Sequence, residues 1–197
     1  LIDVAHMKEE VEQEHGIPVV AAGVRAVELT SNKIRTKEFY TEIGVVTPNY
    51  QILNSPDELE LEFPVVLKQG EGQGGKDIKI ARSMEDVKEY FEKFDEALCE
   101  EFIEGSEISI EVLGFKGEYV ALPPIYKGET TLEGTHPLNK VKTGPCMVDG
   151  LDNNLVQHTA YKVAKNLASD GIFEMDFMYS AEKNQLYAIE VNTRPNG

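Results

Sequence analysis

Positive charge is scarce in this sequence: 19 Lys and Arg stand against 35 Asp and Glu, a formal net charge of −16 over 197 residues. Affinity for nucleic acid is built from cations set against phosphates, so no nucleic-acid partner is expected. The acids are spread along the chain without a long run, which describes a solvated surface. Cysteine is almost absent. Cys99 and Cys146 lie far apart and outside any metal-ligand spacing, so both read as reduced thiols of a cytoplasmic protein. Long apolar runs are missing: none approaches the roughly 18 residues of a membrane span, and no signal peptide is visible, so the chain reads as soluble with no membrane partner. His6, His15, His136 and His158 show no ligand spacing, and no Ser-His-Asp or Cys-His arrangement suggests nucleophilic hydrolysis. Internal repeats and low-complexity stretches are lacking as well.

What is present reads as α+β, in one domain or two small ones. The spacing of Ile2, Val4, Met7 and Val11 predicts a helix ending at Gly16, and a short strand is expected at Ile17 to Ala21. Ser31 or Asn32 caps a helix that Gly44 breaks, and Ser55-Pro56-Asp57-Glu58 opens a short helix to about Leu61. Phe63 to Leu67 is a strand that delivers Lys68 into a glycine-rich tip, Gln69 to Lys76, and Ile78 to Ala81 returns from it. Ser83 caps a helix to Glu96; strands follow at Ala97 to Ile103, around Ile108 to Val112, and at Glu118 to Ile125. Residues 127–147 read as a loop too long for a plain connector, and Asp152 to Ala168 as an amphipathic helix.

The last stretch, GIFEMDFMYSAEKNQLYAIEVNTRPNG, puts acids where a fold alone would prefer apolar residues. Phe173, Met175, Phe177 and Tyr179 alternate with Glu174, Asp176 and Met178. In the second run Tyr187, Ile189 and Val191 take one face, and Glu190, Asn192 and Arg194 the other. With Ser180 to Asn184 as a hairpin turn, Asp176 faces Glu190 and Asn192, which is a magnesium site in outline; a solvated outer face is the plainer alternative.

The string IEVNTRP resembles the metal-binding strand of ATP-grasp ligases, and Asp176 matches the partner acid on the preceding strand. Ser31-Asn32-Lys33, Phe63 to Lys68, Glu100 to Glu107 and Ile189 to Arg194 are similar to that family in order and spacing along the whole chain. The resemblance implies two lobes with nucleotide between them. Residues 1–22 would end an N-terminal α/β domain, 23–44 would be linker helices, 45–102 the small lobe, and 103–197 the large lobe with the metal hairpin. A chain that opens without methionine and stops just past this strand then reads as a fragment lacking most of the N-terminal domain and the C-terminal end.

Under the resemblance each residue acquires a role. Lys33 and Lys68 are point cations suited to the phosphates of ATP, and Gly70, Gly72, Gly74 and Gly75 let backbone N–H groups approach them. Glu100, Glu101, Phe102 and Ile103 form the adenine hinge, a Glu100 oxygen accepting from the adenine amino group, and Glu107 meets a ribose hydroxyl. Asp176, Glu190 and Asn192 hold Mg2+, with Mn2+ as an alternative ion and Glu174 in reserve. Arg194 meets phosphate or acceptor, Lys127 matches a substrate-loop position, and Glu111 pairs with a lysine near the nucleotide. The implied chemistry is phosphoryl transfer to a small-molecule carboxylate, giving an acylphosphate that an amine attacks.

Within the family the chain looks most like phosphoribosylamine–glycine ligase, of purine biosynthesis, and more loosely like carbamoyl-phosphate synthetase. Aminoimidazole ribonucleotide carboxylation is a third reading, and a non-catalytic ATP-binding module an alternative of another class. The segment KGETTLEGTHPLNKVKTGPC departs from the glycine ligase's substrate loop. A homodimer is compatible with all of these readings.

Overall fold

The computed structural model describes residues 1–72, 77–132 and 141–195. Gly74 and Gly75 of the expected phosphate loop, and 133–140 of the long 127–147 segment, lie outside the described residues. Three helices open the chain: α1 (Ile2–His15), α2 (Val24–Ser31) and α3 (Lys33–Glu42). α1 ends at Gly16, whose φ of 64° places it in the left-handed region that closes helices. The strand expected at Ile17 to Ala21 does not form. The Val19 N–H donates to Glu12 Oε1 at 2.9 Å and its carbonyl accepts from Lys8 Nζ at 2.8 Å, so side chains of α1 satisfy this backbone in place of a sheet neighbour. α2 has no counterpart among the sequence expectations; it buries Ala26 and Val27 and ends at Ser31, leaving Asn32 to cap α3 by accepting from the Arg35 N–H at 3.1 Å.

The first sheet contains β1 (Tyr50–Leu53), β2 (Val65–Lys68), β3 (Lys79–Ala81) and β4 (Ala97–Glu101), antiparallel in the order β1-β4-β2-β3. Helix α4 (Met84–Phe91), capped by Ser83, covers it, and Leu53, Val65, Leu67, Val87 and Tyr90 form the core between them. α4 stops short of the expected Glu96. At Pro56–Glu58 a single 3-10 turn replaces the helix to Leu61, because the Gln51 side-chain oxygen accepts from the Glu60 and Leu61 N–H groups at 2.9 and 3.0 Å.

The second sheet contains β5 (Gly105–Phe115), β6 (Glu118–Ala121), β7 (Ile125–Thr130), β8 (Gly171–Ser180) and β9 (Gln185–Asn192). Its path is β6-β5-β8-β9, with β7 on β5 beside β6. The segment expected to be loop from 127 therefore starts as a strand: β5 is long enough to seat β6 along Val112 to Phe115 and β7 along Gly105 to Ser109. Helix α5 (Asn153–Leu167) packs Val156, Ala160, Val163, Ala164 and Leu167 against one face of this sheet, while Leu155 of the expected stripe is exposed. Phe173, Met175, Phe177 and Tyr179 join that core as the alternation predicts.

β9 departs from simple alternation. Asp176 pairs with Glu190 but Phe177 with Ala188, so Ile189 is an extra residue in a bulge. Leu186, Ala188 and Val191 consequently face the main core, whereas Tyr187 and Ile189 turn to the opposite face beside Ile103 and Met178. The expectation that Tyr187, Ile189 and Val191 share a face is corrected by this bulge. The two sheets join through residues 102–104, and Gly105 lies so close to β8 that a Cβ there would overlap the Tyr179 carbonyl oxygen. Among the described residues no helix is long and apolar enough to cross a membrane, and Cys99 and Cys146 are both free and buried.

Candidate functional site

Two charged clusters stand where the sheets meet. The first is cation-rich. β4 presents Glu100, 2% exposed, between Lys68 of β2 and Lys37 of α3, itself 1% exposed. Lys68 Nζ donates to Glu100 Oε2 at 2.8 Å, and Lys37 Nζ lies 3.3 Å from Oε1. Lys37 also donates to Thr47 Oγ1 at 2.5 Å and reaches the Ala188 carbonyl of β9 at 3.5 Å. Burial pushes the Lys37 ammonium down to about 8 even against the pull of Glu100. Burial would raise the Glu100 carboxyl, but the two lysines outweigh it and hold that carboxyl below its usual range. Lys33, at the start of α3, donates its backbone N–H to the Gly70 carbonyl at 2.7 Å and its Nζ to the Gly72 carbonyl at 3.0 Å, tying α3 to the glycine-rich segment. Its ammonium is lowered by burial and drawn back up by Glu190, which places it within electrostatic reach of the second cluster.

That second cluster is carboxylate-rich. Register sets Asp176 opposite Glu190 and Glu174 opposite Asn192. Both Asp176 oxygens accept from Lys127 Nζ at 2.8 Å, Asn192 Nδ2 donates to Glu190 Oε1 at 2.8 Å, and Arg194 Nη1 stands 3.7 Å from Glu174 Oε2. Buried Ser109 donates to Glu174 Oε1 at 3.3 Å. Burial, opposed by Lys127 but helped by Glu190 and Glu174, pushes the Asp176 carboxyl up to about 6. Among the described residues no three His, Cys, Asp or Glu side chains already converge as a metal cage. The donor set nonetheless suits a hard divalent cation: oxygens predominate, and their mutual repulsion in a partly dry site is what such an ion relieves. In this structure Lys127 supplies the positive charge at Asp176.

Between the clusters lies the expected adenine hinge. Glu101 accepts from the Asn49 N–H at 3.1 Å and Phe102 donates to the Pro64 carbonyl at 3.2 Å; among the described residues the Ile103 N–H has no partner. Ile103, Met178 and Tyr187, with Ile189 against them, make a small apolar patch on the carboxylate face of the second sheet. Glu107 accepts from Thr130 Oγ1 at 2.5 Å. The structure thus brings together Lys33, Lys68, Gly70, Gly72, the Glu100 to Ile103 hinge, Lys127, Asp176, Glu190, Asn192 and Arg194. The Glu100 side chain is drawn toward two lysines: Lys68 donates to Oε2, and Lys37 stands 3.3 Å from Oε1, a buried oxygen without a hydrogen-bond partner among the described residues. Glu111 sits opposite Glu174 in the sheet and lines, with Ser109, Leu122, Pro123, Ile125 and Lys142, a cavity of about 390 Å3 next to the carboxylates.

Lys37 is the residue that sequence reasoning missed. Its signal was its place four residues after Lys33, on the same face of one helix and one turn before buried Tyr40.

Comparisons with known proteins bear on this arrangement. Residues 30–197 match the ATP-grasp domain family. The carbamoyl-phosphate synthase of Methanobrevibacter smithii is 76% identical over 200 aligned positions, covering all of this chain and 54% of the relative. A D-alanine--D-alanine ligase of Carboxydothermus hydrogenoformans is 30% identical over 91% of this chain and 64% of its own length. The chain thus spans about half to two thirds of the relatives it matches. Among solved structures, the biotin carboxylase domain dimer of the Hydrogenobacter thermophilus 2-oxoglutarate carboxylase, in complex with MgADP, ADP and bicarbonate, superposes with a TM-score of 0.78 at 27% identity, covering 100% of this chain and 46% of that one. With a family match over residues 30–197 and a fold that superposes on that solved structure, the chain belongs to the ATP-grasp domain family.

Proposed function

We propose that this chain binds ATP and magnesium between residues 45–102 and 103–197 and activates a one-carbon carboxylate as an acylphosphate for attack by ammonia or an amine, as part of a carbamoyl-phosphate-synthase-like ligase. The observation that carries the reading is a lysine pole, Lys33, Lys37 and Lys68 about Glu100, beside a carboxylate pole, Asp176, Glu190 and Asn192, with Lys33 and Lys37 within electrostatic reach of Glu190. A nucleotide polyphosphate with its divalent ion has the charge distribution that complements both.

Identity of 76% across the whole chain to a carbamoyl-phosphate synthase supports the carbamoyl-phosphate branch over the glycine-ligase branch and over a place in purine biosynthesis. A carbamoyl product requires a single carbon at the oxidation level of carbon dioxide, and bicarbonate is the one-carbon acid at that level.

Lys33 and Lys68 would neutralise phosphate oxygens, with the glycines from 70 onward allowing close backbone approach. Ile103, Met178 and Tyr187 form a floor for the base, and the Ile103 N–H is a donor for its edge. Glu107, with Thr130, faces the ribose. Asp176, Glu190 and Asn192 would hold magnesium, which when bound offsets charge on the transferring phosphoryl group. Lys127, which meets Asp176, and Arg194, beside Glu174, would hold the anionic acceptor.

The test is thermal unfolding of the whole protein with ATP, with and without Mg2+, followed by ATP hydrolysis with candidate acceptors. Mg-ATP at 100 times its dissociation constant should add about 2.7 kcal/mol of stability, and bicarbonate should stimulate hydrolysis. No stabilisation would refute nucleotide binding. Binding without turnover would favour the non-catalytic module, and stimulation by glycine with phosphoribosylamine, but not by bicarbonate, would restore the glycine-ligase reading. A homodimer is a further proposal, checked by light scattering.

A further inference from the structure

The buried ammonium of Lys37 lies apart from the residues proposed to touch nucleotide or metal, yet it contacts the support of both. It meets Glu100 Oε1, whose other oxygen holds Lys68 Nζ, and it meets Thr47 Oγ1 and the Ala188 carbonyl at the bulge that turns Glu190 toward Asp176. Thr47 Oγ1 itself donates to the Ala188 carbonyl at 2.8 Å, and the Ala188 N–H donates to the Val46 carbonyl at 2.8 Å, so both backbone groups of the residue that precedes the bulge at Ile189 are held from the α3 side.

The charge count is unusual. Two lysines share one carboxylate, and a lone Lys68–Glu100 pair would already be neutral. A second buried ammonium is a costly way to fill space, since an apolar side chain of similar volume does so without desolvating a charge. What Lys37 does that such a side chain could not is hold Glu100 from the far side and fix the direction from which Lys68 is drawn, while gripping the strand that carries Glu190.

We infer that Lys37 is a positioning residue that links the phosphate-facing Lys68, through Glu100, to the β9 bulge that sets Glu190. This inference rests on the nucleotide reading, and the measurements separate the two. Binding of ATP without metal is titrated calorimetrically to the whole protein, to Lys37→Met, to Lys68→Met and to the double variant, with apo melting temperatures alongside. A parent that binds no ATP ends the nucleotide reading itself.

Given a binding parent, Lys37→Met should weaken ATP at least about tenfold without lowering the apo melting temperature at neutral pH, and should add less than about twofold in the Lys68→Met background, because residues acting through one another are not additive. Amide exchange at residues 188–190 should quicken in the apo Lys37→Met protein. Unchanged affinity in Lys37→Met, or the same loss in both backgrounds, overturns the inference. If the double variant does not fold, Lys37→Gln decides: it can still donate to Thr47 and Ala188 but forms no ion pair with Glu100, so it should reproduce the loss of affinity with normal exchange at 188–190, and parental affinity would overturn the inference.

Discussion

The lysine pole and the carboxylate pole solve the same electrostatic problem with opposite signs. Around Glu100 two buried ammonium groups face one carboxylate, with Lys33 nearby. Around Asp176 three carboxylates, Glu174, Asp176 and Glu190, face two cations, Lys127 and Arg194. Neither pole is neutral by itself. A fold optimised for stability alone would pair these charges one to one or replace them by apolar residues. The imbalance places an anion-seeking surface beside a cation-seeking one, and it is set by which strands lie opposite one another.

The sharpest way to break this comparison is Glu100→Gln. It leaves Lys37 and Lys68 buried without a counter-charge, and apo stability should fall by about 3 kcal/mol or more. Chemical denaturation beside the parent measures it, and a loss of less than about 1 kcal/mol would mean that the lysine pole is better solvated than its burial indicates.

At the other pole Glu190→Gln removes one of three repelling carboxylates. Apo melting temperature should stay level or rise slightly, while ATP turnover falls about a hundredfold, as for a group that serves function at a cost to folding. Parental turnover would remove Glu190 from the metal set.

Lys127→Met tests whether that lysine stands in for a metal at Asp176. Without it the Asp176 carboxyl should titrate above its present value of about 6. Both Asp176 oxygens are then released, so calorimetric Mg2+ affinity of the nucleotide-free protein should rise severalfold while turnover drops about tenfold. A fall in Mg2+ affinity would show that Lys127 supports the metal site instead.

The smallest effect is a pH trend. Lys37 holds its proton to about 8 in the folded protein, against ~10.4 in an unfolded chain. Between those values the unfolded state binds more protons, so this residue's contribution to stability improves as pH rises. The stability difference, parent minus Lys37→Met, should therefore climb between pH 8 and 10, where Glu100, Lys68 and Glu190 are the charges that act on Lys37. A flat difference would place Lys37 in a wetter setting.

Much of this molecule was legible in its sequence because its signals are local. Alternation of Phe173 to Tyr179, the Ser83 and Asn32 caps, and the strand into Lys68, which begins at Val65 instead of the expected Phe63, each depend on residues a few positions apart, so period and capping chemistry predict them. Residues two apart on an unbulged stretch of strand share a face, and the bulge at Ile189 precedes this pair, which is why Glu190 and Asn192 could be read together.

Tertiary structure decided what depends on partners distant in sequence. The backbone around Val19 is satisfied by Lys8 and Glu12 of α1, so the apolar run at Ile17 to Ala21 forms no strand. Thr130 pairs with Gly105 because β5 leaves that edge open, and no local pattern in a Gly- and Thr-rich segment announces it. The bulge at Ile189 changes the face of Tyr187 through pairing with β8, although the alternation of β9 reads as unbroken. Lys37 shows the limit most plainly. On a helical wheel it is one more lysine, and only the approach of β4 and β9, 63 and 151 positions away in the chain, takes it out of water and sets it against Glu100 and Ala188.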